Sequence, residues 1–301
     1  MSERVKAEAR VLVDITRARM AFLQGYGAKK VTAPIFVNSL PKSGTNLLLE
    51  LMRALPGMHE VRLKLTRKQA GIYRPRVGEP SVLAGVTTPA EMSLGRLART
   101  LGRLPPGTWF RGHVPYSEAF RDLLAALDVK VVLMLRDPRD VVVSSAAYLP
   151  FRPGNRFSAH FRSLSEADRV LASITGLPAC EAHPELLGIG ERVHSVRPWM
   201  SEPFVYVSRF ERLVGPAGGG SEHFQVTEIR NIAEHIGTPL SQEEARHLAT
   251  GLFGGTHTFR KGQIGAWREV FTERHMRAAK PLLDDLLVEL GYETTTAWSS
   301  S

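Results

Sequence analysis

Residues 34–51, API-FVNSL-PKSGTN-LLLEL, restrict the fold of this chain more than any other stretch. The apolar run Ile35-Phe36-Val37 stops at Asn38-Ser39, passes through Pro41-Lys42-Ser43-Gly44-Thr45-Asn46, and becomes a leucine-rich helical pattern. A strand, a small-residue turn bearing a lysine, and then a helix form one unit of an α/β sheet. That order sets a helix N-terminus, with unpaired backbone N–H groups and the positive dipole end, beside the turn. Such an end accepts a phosphate or a sulfate. Gly44 permits close backbone approach, Ser43 and Thr45 bring hydroxyl donors, and Lys42 brings a mobile charge. The turn is not a Walker A loop, where glycine precedes the lysine, because here Gly44 follows it. A plain surface turn capping a helix is the other reading of the same residues.

A second unit repeats the order. Residues 129–135 read as a buried strand, ending in Arg136-Asp137-Pro138-Arg139-Asp140, after which a helix begins near Val141. Pro138 suits an early helical position, where its missing N–H costs nothing. A third strand pattern, 108–114, ends at His113, and Ser117 beside Glu118 caps a helix running to 127. In an open parallel sheet ligands gather at the carboxyl ends of the strands, so Arg136, His113 and the Lys42 turn can face one crevice. Arg136 offers a planar fork for a phosphate, and Ser144, two helical turns on, a hydroxyl. His113 is either a base in that crevice or a histidine satisfied in the core or solvated in a loop.

The remainder of the 301 residues fits one α/β domain of residues 31–295, with a helical extension over 1–30 and a disordered tail at 296–301. Residues 5–23 form an amphipathic stripe through Val11, Ile15 and Phe22, either a lid helix packed on the body or a peripheral membrane contact. Residues 57–106, rich in Pro, Gly and Arg, read as loops. A helix is expected over 157–176, then a loop, a buried strand at 204–210, a flexible glycine loop at 215–220, and helices at 227–236, 241–251 and 272–290. The net charge of +9 is diffuse rather than clustered, which favours a small anionic ligand over nucleic acid. The single cysteine, Cys180, excludes an internal disulfide and fits a reducing compartment. The N-terminus has no signal-peptide pattern and no apolar run is long enough to span a bilayer, so a cytoplasmic location is expected.

Three separated motifs now agree, and the chain resembles the sulfotransferases dependent on 3′-phosphoadenosine-5′-phosphosulfate (PAPS). Pro41-Lys42-Ser43-Gly44-Thr45 is similar to that family's 5′-phosphosulfate loop. Arg136-Asp137-Pro138-Arg139-Asp140-Val141-Val142-Val143-Ser144 resembles its 3′-phosphate motif, with Arg and Ser eight positions apart. Phe259-Arg260-Lys261-Gly262, Gly265-Ala266-Trp267 and Phe271-Thr272 resemble its C-terminal R-K-G, G-x-W and F-T elements. Arg111-Gly112-His113-Val114-Pro115 stands where members of the cytosolic type carry their catalytic histidine. Departures are Leu47 at a frequent tryptophan position, Phe210 where the family has a tyrosine near the adenine, and Arg111 for the usual lysine. The C-terminal dimer pattern is also not kept, so the resemblance implies no oligomeric state.

The resemblance implies a P-loop-like α/β sheet flanked by helices and sulfuryl transfer from PAPS, leaving 3′-phosphoadenosine-5′-phosphate (PAP), without a metal. It implies Lys42 at the bridging oxygen and residues Ser43, Gly44, Thr45 and Asn46 around the 5′-phosphate. Arg136, Ser144, Arg260, Lys261 and Gly262 are implied at the 3′-phosphate, and Phe210 beside the adenine. It further implies that His113 takes the acceptor's proton and that Ser144 holds Lys42 off the bridging oxygen until an acceptor arrives. The expected acceptor is a hydroxyl of a small molecule, lipid or other natural product, with a carbohydrate hydroxyl as the alternative. Phe151, Phe157, Phe161 and Trp199 either wall the acceptor pocket or fill the core. From other classes, a P-loop small-molecule kinase lacks its G-K-[ST] order, and a nucleic-acid module leaves the anion turns unexplained.

Overall fold

Alternation along the first strand builds two layers of core. Ile35 and Val37 point to one face, Phe36 to the other, and all three are fully buried. The computed structural model describes residues 3–23, 31, 33–152, 154–252 and 262–299. Its strands are β1 (Ile35–Ser39), β2 (His59–Leu65), β3 (Ser81–Ala84), β4 (Ala90–Ser93), β5 (Thr108–Gly112), β6 (Lys130–Leu135) and β7 (Val205–Arg209). Five of them form one sheet in the order β2-β5-β1-β6-β7, and every neighbouring pair is parallel. The hairpin β3-β4 stands apart from it.

Helices cover both faces, which is why the central strands read as continuous apolar runs. On one side Leu48, Leu51 and Met52 of the helix Thr45–Ala54 and Ile229, Ile232 and Ile236 of the helix Glu222–Ile236 close over Ile35, Val37, Val132 and Met134. On the other, Val141 and Val142 of the helix Pro138–Tyr148 and Leu283, Leu286 and Leu287 of the helix Glu273–Glu289 close over Phe36, Phe110, Val131 and Leu133. The expected single α/β domain with a central parallel sheet flanked by helices is therefore the fold observed. The chain steps from β1 outward to β2 and back to β5 on one side, then to β6 and β7 on the other. The crevice beside β1, at the carboxyl ends of the strands, is thus the switch point where ligands settle.

Several expectations need correction. Residues 57–106 are not merely loops, since they hold β2, the hairpin and the helix Leu94–Leu101. Val61, Leu63 and Leu65 alternate inward along β2, a signal submerged in the surrounding Pro, Gly and Arg. The helix expected over 157–176 is two, Ser158–Ser163 and Glu166–Thr175, and another follows at Ile189–Val196. Phe157, Phe161 and Trp199 are buried core residues, whereas Phe151 is exposed. Within the expected tail, Trp298 is buried and donates its indole N–H to Asp284 at 2.6 Å, while its neighbours 296, 297 and 299 are exposed. The helix Glu3–Leu23 lies against β2 through Val11 and Ile15, and Asp14 there accepts from Arg62. No described helix is long and apolar enough to cross a membrane.

Candidate active site

The Lys42 turn forms because the chain must leave β1 and enter a helix within a few residues. Lys42 has φ +74° and Gly44 φ +98°, both left-handed. For a lysine this conformation costs about 1–2 kcal/mol, so the surrounding contacts must hold it. Gly44 is required twice over, because any Cβ there would also lie 2.5 Å from the ring of Phe210. No side chain caps the helix Thr45–Ala54 at Gly44, which leaves its first turn to bind an outside acceptor. Ser43 departs from its expected role. Its hydroxyl is fully buried and shares its one proton between the carbonyls of Leu40 (2.7 Å) and Met134 (3.0 Å), fastening the turn to β6 instead of facing an anion. Asn46 lies in the first turn of the helix that follows.

His113 follows β5, across β1 from β6. Two buried side chains at the end of β1 fix it. Asn38 accepts from the Val114 N–H (2.9 Å) and donates to the Val114 carbonyl (3.0 Å), so it substitutes for a missing strand partner. Trp199 donates its indole N–H to the same carbonyl at 3.1 Å. His113 Nδ1 lies 2.8 Å from the Ser39 carbonyl. A carbonyl only accepts, so Nδ1 carries the proton and Nε2 is the basic nitrogen. Ser39 Oγ lies 3.1 Å from the same Nδ1 and 2.8 Å from Thr45 Oγ1, which joins the histidine to the anion turn through hydroxyls. Burial lowers the His113 pKa, the hydrogen bond to Ser39 opposes this, and Arg152 and Arg111 lower it further. The ring is held neutral near pH 7.

Arg136 sits at the end of β6, 7% exposed, with its guanidinium 4.2 Å from the centroid of Phe210. It donates to the Gln263 carbonyl at 2.8 Å and pairs with Asp140 at 3.4 Å. Its Nε is buried and has no partner among the described residues. Phe210, expected beside the adenine, is thus buried between Gly44 and Arg136. Ser144 is half-buried in the middle of the helix Pro138–Tyr148. Gly262 has φ +53°, while Arg260 and Lys261 lie outside the described residues.

Sequence reasoning passed over the residues that bring these parts together. Asp140 accepts from the N–H groups of Gly265 (2.9 Å) and Trp267 (3.0 Å), so the acid of the second turn holds the C-terminal segment at Arg136. Arg139 is buried over the Trp267 ring, 4.0 Å from its centroid, and is neutralised by Asp137 and Glu293. The glycine loop, read as flexible, is docked to that segment, with Ile264 donating to Gly218 and Gln263 to Ala217. Tyr148 and Arg152 were also missed. Lys42 Nζ lies 3.8 Å from the Tyr148 ring centroid, and the Arg152 guanidinium lies 5.6 Å from it. Burial, then Arg136 and Arg152, lower the Lys42 pKa to about 8. The crevice therefore gathers more positive charge than it can comfortably hold alone.

Residues 32–150 match the family model described as the sulfotransferase domain. That span includes the Lys42 turn, His113 and the segment from Arg136 to Ser144. No curated protein matches the sequence. Among solved structures, mouse sulfotransferase SULT7A1 complexed with PAP superposes with a TM-score of 0.59 at 16% identity, covering 93% of each chain. Retinol dehydratase in complex with androsterone and inactive cofactor PAP gives 0.50 at 18% identity, covering 93% of this chain and 85% of that one. Retinol dehydratase with retinol and PAP also gives 0.50 at 18% identity, covering 90% and 86%. These likenesses establish a shared fold over nearly the whole chain.

Proposed function

We propose that this chain, which carries a sulfotransferase domain over residues 32–150, transfers the sulfuryl group of PAPS to a hydroxyl of a small-molecule acceptor. The observation that carries the reading is the convergence of Lys42, His113 and Arg136 at the switch point beside β1, in a crevice whose cations repel one another. A polyanionic nucleotide relieves that repulsion. The residues fit such a ligand. The uncapped helix and left-handed turn suit one phosphate, and the orphaned Arg136 Nε suits another.

The bound donor supplies a sulfuryl group on a good phosphate leaving group. Lys42 then stabilises charge developing on that phosphate, with the N–H groups that open the helix Thr45–Ala54. Arg136 and Ser144, joined by Arg260, Lys261 and Gly262, hold the 3′-phosphate. Docking of residues 263–267 on Asp140 keeps that C-terminal segment beside Arg136. His113 Nε2 takes the acceptor proton, while Nδ1 stays bonded to the Ser39 carbonyl. Retinol and androsterone, the molecules named with retinol dehydratase, are apolar alcohols, which supports an apolar alcohol or phenol here over a sugar.

Incubation with ³⁵S-labelled PAPS and a panel of phenols, sterols and sugars tests the reading. Label is expected on a phenol or apolar alcohol, with one PAP released for each product formed. No label on any acceptor and no PAP released would contradict it.

A further inference from the structure

From Arg136, the interval of four residues runs through Asp140, Ser144 and Tyr148 of the helix Pro138–Tyr148, and on to Arg152 just beyond its end. Within the helix, Asp140, Ser144 and Tyr148 are successive i, i+4 neighbours. The first member of the line stacks on Phe210 and pairs with Asp140. Near the other end, the ring of Tyr148 receives Lys42 Nζ at 3.8 Å from its centroid, well inside the range of about 6 Å for a cation over an aromatic face. Arg152 approaches the same ring at 5.6 Å. The Lys42 backbone is left-handed at φ +74°, which narrows the directions its side chain can take. Family resemblance gives the restraint of this lysine to Ser144, but the group found under the ammonium is Tyr148.

We propose that Tyr148 is a positioning residue for Lys42: its aromatic face holds the ammonium at the mouth of the anion turn until the leaving phosphate draws it across. The step served rests on the sulfotransferase reading, whereas the contact does not. Burial, Arg136 and Arg152 all work against a charged Lys42, and their sum leaves it at about 8. The negative face of a ring works in the opposite sense and favours the ammonium. Removing the ring while leaving the arginines in place therefore lowers the lysine further. A phenylalanine, which keeps the ring and loses only the hydroxyl, does not.

The test compares Tyr148→Phe and Tyr148→Leu in the full-length chain without nucleotide. Lys42 acetylation by acetic anhydride is followed between pH 6 and 10 by peptide mass spectrometry, with exposed Lys68 as the internal control. In Tyr148→Leu the Lys42 half-titration is expected to move down by about one pH unit, the value of a partly desolvated cation–π contact. In Tyr148→Phe it stays with the parent, and Lys68 moves in neither. Tyr148→Met replaces the leucine variant if the latter melts early. An unmoved titration in the ring-less variant, or an equal movement in the phenylalanine variant, overturns the assignment. With turnover in hand, the alkaline limb of kcat/KM should move with the labelling curve. Absence of turnover in the parent protein would count against the sulfotransferase reading alone, because labelling needs no catalysis.

Discussion

Lys42→Met is expected to lower turnover by about 10²–10³-fold, the usual loss when one preorganised group at a developing charge is removed. The same change is expected to raise the melting temperature by a few degrees. Lys42 titrates at about 8 in the folded protein, below its ordinary value, because it is buried beside Arg136 and Arg152. Below that pH the folded state bears the full cost of the charge. As pH rises through 8 toward the unfolded value, about 10.4, the cost disappears. The stability gain of the methionine variant should therefore be largest near pH 7 and fade above pH 9. Paired measurements of kcat and thermal melting at both pH values check this. A methionine variant that turns over normally, or that melts below the parent at pH 7, would contradict the role given to Lys42.

His113→Asn is expected to lower kcat by about 10²–10⁴-fold, the range for loss of a general base, with nucleotide affinity nearly unchanged. Asparagine can still donate to the Ser39 carbonyl, so the end of β5 should keep its place. The pH profile gives an independent check. Burial, Arg152 and Arg111 depress the histidine below its ordinary value of about 6.5, and a base works only when neutral. Activity should thus persist below pH 6.5 and fall only as pH drops through the depressed value. On the alkaline side it should fall as Lys42 loses its proton near 8. The profile of kcat/KM should be a bell with its acid limb missing in the asparagine variant. Unchanged turnover on replacing His113 would remove it from the chemistry.

The parallel sheet and the crevice were legible because each charged turn follows a buried strand and opens a helix. Lys42, His113 and Arg136 could be assigned to the carboxyl ends of strands without coordinates. What joins them could not be read. Asn38 and Ser39 look like the polar end of a strand, yet their partners lie 74 to 76 residues away. Only the pairing of β1 with β5 makes them neighbours of His113. Ser43 shows the converse, since residue type suggested an anion donor and tight packing against β6 turned it inward. Arg139 and Asp140 carry no role of their own in the sequence reading, although they anchor Trp267 more than a hundred residues on. β2 escaped notice because its alternation lies within a Pro- and Arg-rich stretch whose composition argues for loops.

The claim that a 3′-phosphorylated nucleotide occupies the crevice is tested most directly by calorimetric titration. PAP, AMP and ADP are compared in metal-free buffer. PAP is expected to bind about 100-fold or more tightly than either, the equivalent of two added hydrogen bonds to charged groups. Arg136→Gln should remove most of that difference while leaving AMP affinity nearly as it was. Equal binding of all three nucleotides, or binding of none, would mean that Arg136 and its partners do not read a 3′-phosphate, and the sulfotransferase account would fall.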